Sequence, residues 1–126
     1  MIWVPSGTQI NEEKKNMSSF SDVKQCIPLT TDGLAQKYVN TTATNISAGR
    51  IMGVYGQATG TDAEIKIYNE ADGSKTASKL VFHAKFSNAD NHGQSFDVPG
   101  LGIKCESGMY VDLTNCDFCT IIGTFS

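Results

Sequence analysis

The sequence predicts an all-β protein, on three observations. Gly, Thr, Ser, Asn, Ile, Val, Tyr and Phe are plentiful while Leu and Arg are scarce, a composition that suits strands joined by tight turns. Short apolar runs recur along the chain, several of them alternating with polar residues, and a period of two puts alternate side chains on opposite faces of a strand. Clusters of Asp, Asn, Gly, Pro and Ser separate these runs, and no long helical pattern interrupts them.

Residues 1–24 stand apart from the rest. Glu12-Glu13-Lys14-Lys15 is a solvated mixed-charge run, and residues 17–21 hold no sustained period. The segment reads as an extended N-terminal arm lying over the domain or over a neighbour. An isolated Trp is costly to leave in water, so Trp3, with Phe20, is a candidate interface residue.

Strands are expected in order from there. Residues 34–39 follow a turn at Asp32-Gly33, and residues 51–55 follow Ala48-Gly49. Ile65 and Ile67 alternate with Glu64, Lys66 and Tyr68, and Asp72-Gly73 reads as a hairpin tip. Leu80, Phe82, Ala84 and Phe86 share one face, with Val81, His83 and Lys85 on the other. A polar loop, residues 88–93, precedes Phe96-Asp97-Val98; it reads as a surface excursion or partner contact, with Asp90 and His92 as its candidate interface residues. Residues 103–105 and 109–113 flank a tight connection, and residues 118–124 make a last strand. Eight or nine short strands of this kind suit an antiparallel, jelly-roll-like β-sandwich over residues 25–126.

Composition narrows the function. A chain of 126 residues has the length of one domain, and 40% apolar with 18% charged residues is the balance of a folded one. No apolar run approaches the ~20 residues of a membrane span. A net charge of −3, with Arg50 the single arginine, disfavours nucleic acid, whose affinity comes largely from cations on phosphates. Residues 1–7 do not read as a secretory signal. Without one, Cys26, Cys105, Cys116 and Cys119 read as free, mostly buried thiols.

The chemistry-bearing patterns are weak. Cys116 and Cys119 have the spacing of a metal knuckle, but in a strand residues three apart point to opposite faces, and no second ligand pair accompanies them. Residues 88–93 resemble the first half of a calcium loop, yet the twelfth position is Pro99 where a bidentate Glu is needed. No nucleophile elbow or phosphate loop is present. The expectation is a protein that is not an enzyme, with no catalytic, cofactor-binding or metal residues.

From about Tyr38 to Ile122 the layout resembles that of small virion proteins of tailed bacteriophages. That stretch is about two thirds of the chain, and within it the resemblance rests on residues 41–47, 49–55, 64–69, 96–103 and 108–113. It implies a head decoration (cement) protein made in the host cytoplasm and placed on the capsid surface of the virion. Its implied partners are the major capsid protein and copies of itself in a homotrimer. A tail, spike or head-fibre component is the near variant. A carbohydrate-binding module, with Tyr38, Tyr55, Tyr68 or Tyr110 stacking on sugar, is the rival from another class, and a small hydrolase comes third.

Overall fold

A computed structural model describes residues 23–87 and 93–126. Eleven strands, paired antiparallel throughout, and one 3₁₀ turn at Ala77–Lys79 make up its regular structure. The strands are β1 (Lys24–Gln25), β2 (Gly33–Leu34), β3 (Gln36–Val39), β4 (Thr42–Asn45), β5 (Gly49–Ala58) and β6 (Ala63–Tyr68). They continue with β7 (Leu80–Phe86), β8 (Gln94–Asp97), β9 (Ile103–Cys105), β10 (Tyr110–Thr114) and β11 (Cys116–Phe125). One sheet has the order β1-β11-β5-β8, with β9 beside the other end of β5; the second has the order β2-β10-β6-β7; β3 and β4 pair only with each other.

The two sheets share one core. Ile51, Val54, Cys119 and Ile121 enter it from the first sheet, and Ile65, Ile67 and Val111 from the second, with Ala35, Ile46 and Met109 between the strands. The expected alternation over residues 63–68 and in Phe82, Ala84 and Phe86 supplies these inward rows.

Elsewhere the period of two breaks, and bulges explain how. Ile51 and Val54 are both buried although three residues apart. Ile51 pairs with Gly123 and Gly53 with Ile122, so Met52 is an extra residue on β5 that lets both flanking side chains turn inward. Gly123 makes this register feasible: a Cβ there would lie 1.9 Å from the Arg50 carbonyl oxygen. At the other end Cys116 pairs with Ala58 and Phe118 with Gln57, leaving Asp117 extra. Cys116 and Cys119 therefore both pack on the core, where an unbroken strand would have aimed them apart. Leu80, expected inside, is exposed, because Val81 is the extra residue between the pairs Tyr68–Leu80 and Ile67–Phe82.

Connections differ from the expected turns as well. The stretch 34–39 is not one strand: Ala35 is buried, donates its N–H to the Met109 carbonyl at 2.8 Å and accepts from Ile46 N–H at 3.0 Å. The chain thus leaves the second sheet there and turns into the β3–β4 hairpin. The β6–β7 link spans residues 69–79, with the Asp72 carboxylate accepting from the Ser74 N–H. Residues 106–108 carry the chain between sheets, and Gly108, at φ +118°, passes where a Cβ would stand 2.7 Å from the Glu70 carbonyl oxygen.

Candidate functional site

The interface residues expected from sequence, Trp3, Phe20, Asp90 and His92, lie outside the described residues. Among the described residues no helix is long and apolar enough to cross a membrane, and no group of three or more His, Cys, Asp and Glu side chains gathers around one point. The four cysteines are free. Burial pushes the Cys105 thiol up to about 11 and Cys119 up to about 12, and it raises Cys26 and Cys116 as well. Such thiols are poor nucleophiles near neutral pH, because the thiolate is the reactive form.

One element stands clear of the core. In the β3–β4 hairpin, β4 is exposed along its whole length, and Tyr38 and Val39 near the tip are 64% and 46% exposed. Asn40 makes the turn in the left-handed region at φ 60°, a conformation that Asn tolerates better than most residues. At the base of the ribbon the Ile27 N–H donates to the Gln36 carbonyl at 2.8 Å, which ties it to the body, and the Gln36 amide donates across the ribbon to Asn45 Oδ1 at 2.9 Å. A two-stranded ribbon alone is marginally stable in water, so its open edges and apolar tip are suited to covering by another surface. The sequence hid it because residues 41–44, rich in Thr, resemble a turn as much as a strand.

The outer face of the second sheet is laced with charge. Glu64 lies 3.6 Å from Lys85, 3.8 Å from Lys66 and 3.5 Å from His83 Nε2. Partial desolvation opposes its ionisation, but Lys85, then Lys66 and His83, outweigh that and hold the carboxyl below its ordinary value. Lys75 bridges Asp32 at 3.3 Å and Asp112 at 3.5 Å, which raises its ammonium above the usual lysine value. Asp32 also accepts the Leu113 N–H at 2.7 Å, covering part of the β10 edge.

The middle of the outer face of the first sheet holds no ion-pair network among the described residues. Tyr55 and Phe118 meet at 5.7 Å between ring centroids, and buried Thr120 donates its hydroxyl to the Cys26 carbonyl at 2.9 Å. Met52 follows, then Ile122 at 37% exposure, and the turn after β8 holds out Leu101 at 80%. Of the four tyrosines weighed for sugar stacking, Tyr38 alone is exposed, and Tyr68 is buried. Glu70 is buried in the β6–β7 loop; one of its oxygens accepts from the Thr76 N–H at 3.1 Å, and the other has no partner among the described residues.

The structure thus offers a stiff two-sheet body, a projecting ribbon and two dissimilar outer faces. Compared with family models, curated proteins and solved structures, the chain matches none.

Proposed function

We propose that the chain is a non-enzymatic structural protein of a tailed-phage particle, a decoration (cement) subunit that sits on the capsid surface and stabilises the head shell. The observation that carries the reading is the pair of strand orders β1-β11-β5-β8 and β2-β10-β6-β7. With the β3–β4 hairpin set aside, those eight strands follow the order of two nested Greek keys. That order supports a jelly-roll reading of the sandwich, an architecture that recurs in viral capsid and lectin domains. Architecture alone serves many functions, and the ribbon narrows this one.

A cement subunit needs a rigid body and an element that reaches across a seam. The hairpin supplies the second: Tyr38 and Val39 offer apolar contact, and its open edges offer backbone hydrogen bonds for strand addition. Its proposed partners are the major capsid protein and further copies of this chain in a homotrimer, which would cover sheet edges that otherwise invite aggregation. The N-terminal arm, through Trp3 and Phe20, and the loop bearing Asp90 and His92 add contacts in this reading.

The test is rebinding. Particles assembled without the chain should release DNA at a lower temperature than complete ones, and added purified protein should bind their expanded shells and restore the difference. Tyr38→Ala should weaken rebinding while leaving the unfolding midpoint of the isolated protein unchanged. The exposure of Tyr38 also fits a carbohydrate-binding role. Retention on a glycan column, together with failed shell rebinding, would replace the cement reading with that one.

A further inference from the structure

We infer that the outer face of the first sheet is the docking site of this chain's own N-terminal arm, residues 1–22. In this arrangement Phe20 lies on Ile122 and Met52, and Trp3 lies on the Tyr55–Phe118 pair. The shell-docking reading rests on the hairpin, so either can fail alone. The strand register defines the face: Phe118 pairs with Gln57, Thr120 with Tyr55, and Ile122 with Gly53. Paired residues point to the same side of a sheet, and successive residues of a strand to opposite sides. Val54, Cys119 and Ile121 enter the core, so Tyr55, Phe118 and Ile122 face away from it. Met52, the extra residue of the β5 bulge after inward Ile51, joins them.

The face gains from being covered. Ile122 is 37% exposed, and Met52, Phe118 and Ile122 all stand outside the packed core. Gly53 has no side chain, and a Cβ there would stand 3.9 Å from Ile122 Cβ, so a shallow hollow lies beside Ile122. The Tyr55 and Phe118 rings, 5.7 Å apart and tilted by 37°, form an aromatic platform further along. Apolar area of this kind favours an apolar or aromatic cover over water.

The occupant follows from where the described chain starts. β1 is the edge strand beside β11, and Gln25 lies in one row with Ile122 and Gly53. Going back to Lys24 moves one pair along, from Ile122 to Gly123, so the arm joins the sheet at a corner of this same face. Phe20 stands three residues before Val23 and reaches at most about 10 Å from it, which brings Ile122 on the adjacent strand within range. Residues 1–22 span up to about 70 Å when extended, whereas four strands are about 15 Å across, so Trp3 reaches the far platform. The composition matches: Ile2, Trp3, Val4, Ile10, Met17 and Phe20 are apolar, and Glu12-Glu13-Lys14-Lys15, with no net charge, stays in water between the two contacts. A second copy offers the same arm. A segment tethered at the corner of the face, however, acts at an effective concentration on the order of millimolar, above that of free copies in dilute solution.

Trp3 is the single tryptophan, so its fluorescence reads the arm directly in the full chain. Acrylamide should quench it severalfold less in the native protein than in urea, at every protein concentration. Nuclear Overhauser contacts in the wild type should join the Trp3 indole to the Phe118 ring and the Phe20 ring to the Ile122 methyls. Ile122→Glu and Phe118→Ser, both outside the packed core, should raise quenching toward the unfolded level while the protein stays folded. Lys85→Gln, on the opposite sheet, should leave quenching unchanged. Native quenching equal to that in urea, absence of the two Overhauser contacts, or protection that survives both face variants would overturn the inference. So would protection lost on dilution, or contacts that pass between isotope-labelled and unlabelled copies, which would assign the face to a second copy.

Discussion

The two sheets present matching inner faces to the core and opposite outer faces to their surroundings. Inside, both contribute fully buried Ile and Val: Ile51, Val54 and Ile121 from one, Ile65, Ile67 and Val111 from the other. Outside, the second sheet is closed by ion pairs around Glu64 and Lys75. The first presents Tyr55, Phe118, Met52 and Ile122, with Arg50 beside Lys104 at one end. A charge-saturated face is satisfied by water, whereas a neutral face with exposed apolar residues gains from being covered. Function is therefore to be sought on the first sheet and on the ribbon.

The largest expected effect separates the bulged ladder of the first sheet from its loops. Gly123→Val puts a side chain onto the Arg50 carbonyl and should destabilise by about 4 kcal/mol or more in urea unfolding. Gly60→Ala, where a Cβ meets nothing within 4 Å, should leave the midpoint nearly unchanged. Equal effects would mean that the β5–β11 bulge is not specified by Gly123.

Next come the inner faces. Ile121→Ala and Ile65→Ala should each cost about 2–5 kcal/mol, because both side chains are fully buried in the same cluster. Costs that differ by more than about 2 kcal/mol would show that the sheets do not share the core equally.

The smallest effect belongs to the charged face. Glu64 is held below its ordinary value of 4.5 in the folded state, so its ionised form favours folding. That contribution is present above pH 4.5 and is lost as pH falls through the lowered folded value. Glu64→Gln should therefore be slightly less stable than wild type near neutrality and should converge with it in acid, as read from unfolding midpoints across pH. A gap that persists in acid would assign the loss to packing and not to the ion pairs.

Sequence reading reached the strands wherever one face alone is buried. Ile65, Ile67, Phe82 and Ala84 announce their sheet because alternation and burial coincide there. It failed at Met52 and Asp117, where an inserted residue turns a spacing of three into two inward side chains, and a fixed period cannot encode an insertion. It failed at Ala35 because the break depends on Met109 and Ile46, both distant in sequence. The pairing of Arg50 with Lys104 was equally illegible: the two look like unrelated surface charges until β5 and β9 set them side by side. Tyr38 falls within the expected strand 34–39, and the hairpin that replaces that strand turns its ring outward.

The placement of β11 has a consequence for how the molecule is made. β11 is the last strand in chain order, yet it lies between β1 and β5. During synthesis residues 24–25 and 49–58 emerge long before the strand that must separate them, and both wait with open backbone edges. Pairing them with β11 closes the long loops 26–115 and 59–115, which slows folding. In the meantime those edges are targets for chaperones or for another nascent copy, so the yield of folded protein should depend on temperature and chaperone supply more steeply than the finished fold's stability alone would dictate.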